Sequence, residues 1–305
     1  MADLEARCAC HLQLELGEGV RWDDRRRQLA WVDLHRGRLF TAPVDHPGVA
    51  AGPGRVTELD ASGPLTAVVP LPDGDGWLVG HDQGLGLLDR GGLHALAAPE
   101  RRRPGHTRVN DAACDRDGRL WLGSMEYAGA PGAGRLYRLD LDGRLTVAIA
   151  PTSISNGLGW SPDGATMFFV DSGPGTITAF DYHDGEPTDP RVIVRIDEGG
   201  PVPDGLCVDD DGCLWVAVWG AGEVRRYAPD GSLLCRVSTP ASRPSSCAFG
   251  GPDRDVLFIT TARVELTETV LSGQPHAGCL LAAEVGVTGP AASPYRGPLE
   301  VTDAT

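Results

Sequence analysis

The chain has 305 residues, of which 27 are basic and 42 acidic, for a net charge of −15. That balance argues against nucleic acid or an anionic membrane as partner, since both repel an acidic surface. Every basic residue is arginine, so Schiff-base and lysine-base mechanisms are excluded for want of an amine side chain.

At the start of the chain, residues 1–17 lack the basic stretch and apolar run of a secretory leader. No apolar run approaches the roughly 20 residues of a membrane span, and a cytoplasmic protein is expected. One pattern then recurs down the sequence: a short apolar strand, a turn rich in Asp and Gly, and a strand with aromatic or branched residues. It runs over 19–33, more weakly over 65–80, then over 111–123, 157–171 and 205–217, and weakly again over 246–261. Between the second and third copies lies Arg101-Arg102-Arg103, read as a solvated loop. The Asp-Gly pairs supply the positive φ that tight hairpins need. Each copy continues into two further strands, as in 176–180 and 191–195 after the fourth.

The last copy offers only three strands, near Ser246–Phe249, Val256–Thr261 and Cys279–Val285. A segment near Cys8–Leu14 is therefore expected to supply the fourth and close the ring. Six such copies without helical periodicity predict an all-β fold: a six-bladed β-propeller with four antiparallel strands per blade. The ring closes by pairing of the N- and C-terminal segments, in one domain over 1–305 with a core of about 12–298. A parallel β-helix fits less well, because its repeats are shorter and do not alternate through Asp-Gly hairpins. The eight cysteines show no metal or redox spacing, and buried reduced thiols are expected.

The only two asparagines, Asn110 and Asn156, stand 46 positions apart at matching points of the repeat. The same interval counted back reaches Pro64 and Glu18, and forward steps of 48 and 42 reach Asp204 and Ser246. All lie at or just before the start of a first strand, which in a propeller lines the central channel. Glu18, Asn156 and Asp204 would offer one cation two negative charges and a neutral carbonyl, with sites left for water and substrate. All-oxygen ligation suits Ca²⁺, Mg²⁺ or Mn²⁺ and leaves Zn²⁺ and Fe(II) open. Asp204 could also take a proton from bound water. Asn110 could reach the cation through water or orient substrate, and Arg108 could hold substrate oxygens with its planar fork. Asp111 is open between supporting this site and a hydrogen bond within its strand, and His81 and Asp82 fall in a loop able to reach the mouth. Each residue also has an ordinary use: Asn156-Gly157 and Asp204-Gly205 are good turn chemistry. Glu126 and the segment Arg263–Gly278 follow second strands and should border the same mouth. No Ser-His-Asp set is visible, since Ser246 has no histidine partner and G-x-S-x-G does not occur.

Five motifs in order resemble the senescence marker protein, regucalcin and gluconolactonase family over residues 12–298. They are Leu-Gly-Glu-Gly-Val-Arg-Trp at 16–22, Arg-Val-Asn-Asp at 108–111 and Ile-Ser-Asn-Gly-Leu-Gly-Trp at 154–160. Pro-Asp-Gly-Leu-Cys-Val-Asp at 203–209 and Pro-Ser-Ser-Cys-Ala-Phe-Gly-Gly at 244–251 complete the set. The resemblance implies a six-bladed propeller that hydrolyses sugar lactones with one divalent metal in its channel. It implies Glu18, Asn156 and Asp204 as metal ligands, Asp204 as base, and Arg108, Asn110 and Glu126 as substrate-binding residues. Val20 stands where the family often has proline, and Glu126 where it commonly has aspartate; the longer Glu126 and the segment 263–276 bear on which lactone fits. The expected substrate is an aldonolactone and the expected form a monomer or weak homo-oligomer. Hydrolysis of a non-sugar lactone or phosphoester, and a non-catalytic propeller binding metal or sugar acid, are the alternatives.

Overall fold

A computed structural model describes residues 4–44, 55–101, 103, 106–196 and 199–303; Arg102 lies outside them. Six sheets form the predicted six-bladed propeller, each blade built on four antiparallel strands. The first strands are Gly17–Asp23, Leu65–Val69, Thr107–Cys114, Ser155–Trp160, Val202–Val208 and Pro244–Gly250. All but Thr107–Cys114 read as nearly continuous buried runs because they face the channel on one side and neighbouring blades on the others. Outer strands alternate or are exposed, as in Glu186–Arg195, where one face meets water.

Ring closure follows from the missing strand of the last blade. Arg7–Cys10 pairs antiparallel with Leu280–Glu284, which pairs in turn with Val256–Thr261. The closing strand starts at Arg7, just before the expected segment, and stops at Cys10. Gln13 then turns the chain through φ 49°, while the Leu14 N–H still donates to the Gly278 carbonyl at 2.8 Å. Two additions lay outside the expectation. Leu4–Glu5 runs parallel to Leu233–Ser238 of the fifth blade, and Thr302–Asp303 runs parallel to Arg144–Thr152 of the third.

In blades three and five the Asp-Gly turns are organised by the aspartate that opens the motif. Asp115 Oδ1 accepts from the N–H groups of Asp117, Gly118 and Arg119 at 2.9–3.0 Å. Asp209 does the same for Asp211 and Cys213, and its other oxygen holds the Trp215 indole N–H at 2.9 Å. Trp31, Trp121 and Trp215, on the second strands of blades one, three and five, are all buried. In blade five the turn carboxylate thus fixes both a hairpin and a large core side chain.

The motif glycines have a different use from the one their sequence suggests. Asn156-Gly157 and Asp204-Gly205 are not turns; both lie inside first strands. A Cβ on Gly157 would meet the Leu206 nitrogen at 2.4 Å, and one on Gly205 the Ser246 Cα at 2.7 Å. Glycine here lets adjacent inner strands approach at the narrow centre of the ring.

Candidate functional site

Every first strand slips register where the candidate residues fall. The irregularities lie between Glu18 and Arg21, Leu65 and Ala67, Val109 and Ala112, Ser155 and Leu158, Pro203 and Leu206, and Pro244 and Ser246. A bulge inserts an extra residue and re-aims side chains. Six bulges at one level of the ring therefore direct Asn110, Asn156 and Asp204, with Glu18 at the edge of its own bulge, toward the channel. In the other two blades the extra residues are Thr66 and Ser245, small hydroxyl side chains, not carboxylates or amides.

The convergence is evident in how these groups act on one another. Burial and the nearby Asp111 push the Glu18 carboxyl up to about 8, opposed by Arg108 and Arg21. Burial, Glu18 and Asp111 raise Asp204 well above the usual carboxylate range, while Asn156 and Arg108 pull it back. Asp204, Asp111 and Asn156 are buried, whereas Glu18, Arg108 and Asn110 keep partial exposure. Three carboxylates against two guanidiniums leave the cluster one negative charge in excess if all are ionised. A divalent cation between Glu18 and Asp204 would reverse that imbalance, and oxygen donors of this kind fit a hard ion. The residues present therefore suit the group that the family resemblance implies.

Hydrogen bonds fix the remaining side chains. The Asn156 amide donates to Ser172 Oγ at 3.0 Å, and Ser172 Oγ donates to the Pro203 carbonyl at 2.6 Å. This chain joins blades four and five and sets which way the asparagine faces. Arg108 Nη1 donates to Asn110 Oδ1 at 2.6 Å and to the Val109 carbonyl at 2.9 Å. Asn110 in turn donates to the Ser155 carbonyl at 3.0 Å. Both ends of Asn110 are thus engaged by protein, and its evident effect is to hold Arg108.

Two residues that sequence reasoning left aside complete the site. Arg21 is buried, donating to Asp111 Oδ1 at 3.2 Å and to the Ala112 carbonyl at 2.8 Å, so it ties blade one to blade three. Its signal was an arginine set between the apolar Val20 and Trp22. Tyr127 stacks on His106 with ring centroids 4.2 Å apart, donates to Asp82, and lies 5.6 Å beneath the Arg108 guanidinium. Nothing in the sequence singled it out. His81 is further from this chemistry: burial lowers its pKa, and its Nε2 is buried without a partner among the described residues.

Glu126 ends the strand Leu120–Glu126, opposite Thr107. Its Oε2 accepts from the N–H groups of Ala128 and Ala130 at 2.8 and 3.2 Å, shaping its own loop. The segment after Thr261 packs on the same face: the Arg263 and Val264 N–H groups donate to the Glu15 carbonyl, three residues before Glu18. It contains a short helix, Glu268–Ser272, capped by Thr267. A cavity of about 400 Å³ opens at the other end of the channel, lined by Trp22, Cys114, Trp160, Cys207 and Phe249. Arg21 also lines it, so the Arg21–Asp111 pair stands between that cavity and the carboxylates.

Fold and site together define a six-bladed propeller with an acidic, amide-flanked cluster at its centre. The chain belongs to the SMP-30/Gluconolactonase/LRE-like family, whose model matches residues 16–263. It is 37% identical over 288 residues to an L-arabinolactonase of Azospirillum brasilense, covering 92% of each chain. It is 32% identical to a 6-deoxy-6-sulfogluconolactonase of Pseudomonas putida, covering 95% of this chain and 98% of that one. Among solved structures it resembles a calcium-binding protein, regucalcin, from Agrobacterium tumefaciens, with a TM-score of 0.88 and 29% identity. That match covers 97% of this chain and all of the other.

Proposed function

We propose that this protein is a divalent-cation-dependent hydrolase that opens sugar lactones to aldonic acids. The observation that carries the reading is the convergence of Glu18, Asn156 and Asp204 at one mouth, with the Arg108 guanidinium alongside. The lactonase names of the Azospirillum and Pseudomonas relatives supply the substrate class, and the calcium-binding name of the Agrobacterium structure supports a divalent ion. Glu18, Asn156 and Asp204 would hold the cation, whether Ca²⁺, Mg²⁺, Mn²⁺, Zn²⁺ or Fe(II). When bound, such an ion supplies Lewis-acid polarisation of the lactone carbonyl and makes nearby water more acidic.

The chain's own groups do the rest. Asp204 takes a proton from the attacking water as the water oxygen bonds to the carbonyl carbon. The bond from that carbon to the ring oxygen then breaks, and the proton passes to the ring oxygen as it becomes a hydroxyl. Arg108 donates to substrate oxygens, held in place by Asn110 and by Tyr127 beneath it. Ser172 accepts from the Asn156 amide nitrogen and fixes that side chain, leaving its carbonyl oxygen for the cation. Glu126 would meet substrate hydroxyls from the rim.

A panel of aldonolactones followed by acid release, with and without chelator, tests the proposal. Chelator-sensitive release on at least one pentono- or hexonolactone is expected. No release across the panel, with a sugar acid still bound, would make the protein a binding module instead.

A further inference from the structure

Cys8, His276 and Cys279 come together where the N-terminal strand closes the ring, at the outer pair of strands of the last blade. One ligand atom from each lies within 4.8 Å of the others. In the sequence they belong to Cys8-x-x-His11 and His276-x-x-Cys279, two short pairs in mirror order at opposite ends of the chain. No spacing rule applied to either half alone would unite them. Antiparallel pairing of Cys8 with Leu281 brings the ends together, and the Leu14–Gly278 hydrogen bond holds the flanking turn. The Cys279 N–H donates to the His276 carbonyl at 3.1 Å, folding histidine and cysteine onto one side of a tight turn.

We propose that Cys8, His276 and Cys279 form a zinc site that staples the N-terminal strand to the last blade. Tetrahedral ligation with sulfur at ~2.3 Å and nitrogen at ~2.0 Å puts donors about 3.5–3.8 Å apart, within reach of small rotations of the side chains observed. His276 Nδ1 is buried and has no hydrogen-bond partner among the described residues, a cost that coordination by this histidine, or a reoriented ring, would remove. His11 stands on the open side, its ring centroid 6.3 Å from that of His276. It or a water completes the fourth position. Two thiolates and a neutral imidazole around Zn²⁺ give a site with no net charge, which suits partial burial.

Thiolate is the form of cysteine that binds zinc, so Zn²⁺ displaces one proton from each thiol, and two protons leave for one ion gained. Since the ligands come from both ends of the chain, the ion favours the closed ring over any form with the N-terminal strand detached.

Cobalt distinguishes this site from the channel, because thiolates give Co²⁺ an intense near-ultraviolet charge-transfer band and an all-oxygen site gives none. The full-length protein, reduced with a non-thiol reductant under anaerobic conditions, is titrated with Co²⁺ and then with Zn²⁺. One equivalent should develop the thiolate band, Zn²⁺ should abolish it, and Asn156→Ala should leave it intact. Cys8→Ser, on a half-buried edge strand, and His276→Gln should each lose or sharply alter it while keeping the native circular dichroism. Absence of the band in reduced wild-type protein, including a case where Cys8 and Cys279 prefer a disulfide in air, overturns the proposal. So does a band that survives unchanged in Cys8→Ser.

Discussion

Arg21 offers the sharpest test of how the channel is held together. Its guanidinium bonds Asp111 at 3.2 Å and the carbonyls of Ala112 and Val20 at 2.8 and 2.9 Å. The two side chains are only 10% and 7% exposed. Arg21→Met keeps much of the bulk but leaves Asp111 charged beside Glu18 and Asp204. Removing one partner of a buried pair costs about 3–5 kcal/mol. At roughly 2–3 °C of Tm per kcal/mol for a large domain, the melting point should fall by about 6–15 °C. Asp111→Asn should cost less, because it removes the charge that needs compensation. The double variant should then be less destabilised than the sum of the singles by about 1–3 kcal/mol, the coupling expected of contacting residues. The assay is equilibrium guanidinium unfolding in saturating chelator, so that cation binding does not enter the comparison, with the denaturant slope checked for constancy. Additivity within about 0.5 kcal/mol would refute the claim that this pair joins blades one and three.

Other expectations concern the site itself. Asn156→Ala should lower cation retention, measured by elemental analysis after gel filtration, with circular dichroism unchanged; full retention would remove it from the ligand set. Asp204→Asn should reduce kcat by about 10²–10⁴-fold, the usual contribution of a positioned base, and activity near wild type would reassign the base. Arg108→Met should lower kcat/KM by about 10–100-fold, the worth of a charged hydrogen bond, with little change in Tm. Glu126→Gln retains an oxygen for the Ala128 and Ala130 N–H groups, so its Tm should hold while KM rises. An unchanged KM would restrict Glu126 to shaping its loop.

The strand repeat, the number of blades and the need for a closing strand were all legible in the sequence. Local chemistry specifies each of them: Asp-Gly turns set the hairpins, and alternating or continuous apolar runs set which strands face the core. The two asparagines, Glu18 and Asp204 were legible as candidates because the repeat placed them at matching points. Their glycine neighbours were misleading, since Asn-Gly and Asp-Gly read as turns. Only the packed ring shows that Gly157 and Gly205 serve close approach between inner strands.

What the sequence by itself determined is thus the blade and its periodicity, written in contacts between residues a few positions apart. What only the tertiary structure decided is which distant groups share a surrounding. The bulges aim four strands' residues at one point, Arg21 reaches across to Asp111, and Cys8 meets Cys279 from the other end of the chain. The physical reason is closure: bending a linear repeat into a ring makes neighbours of residues whose separation in sequence carries no local signal.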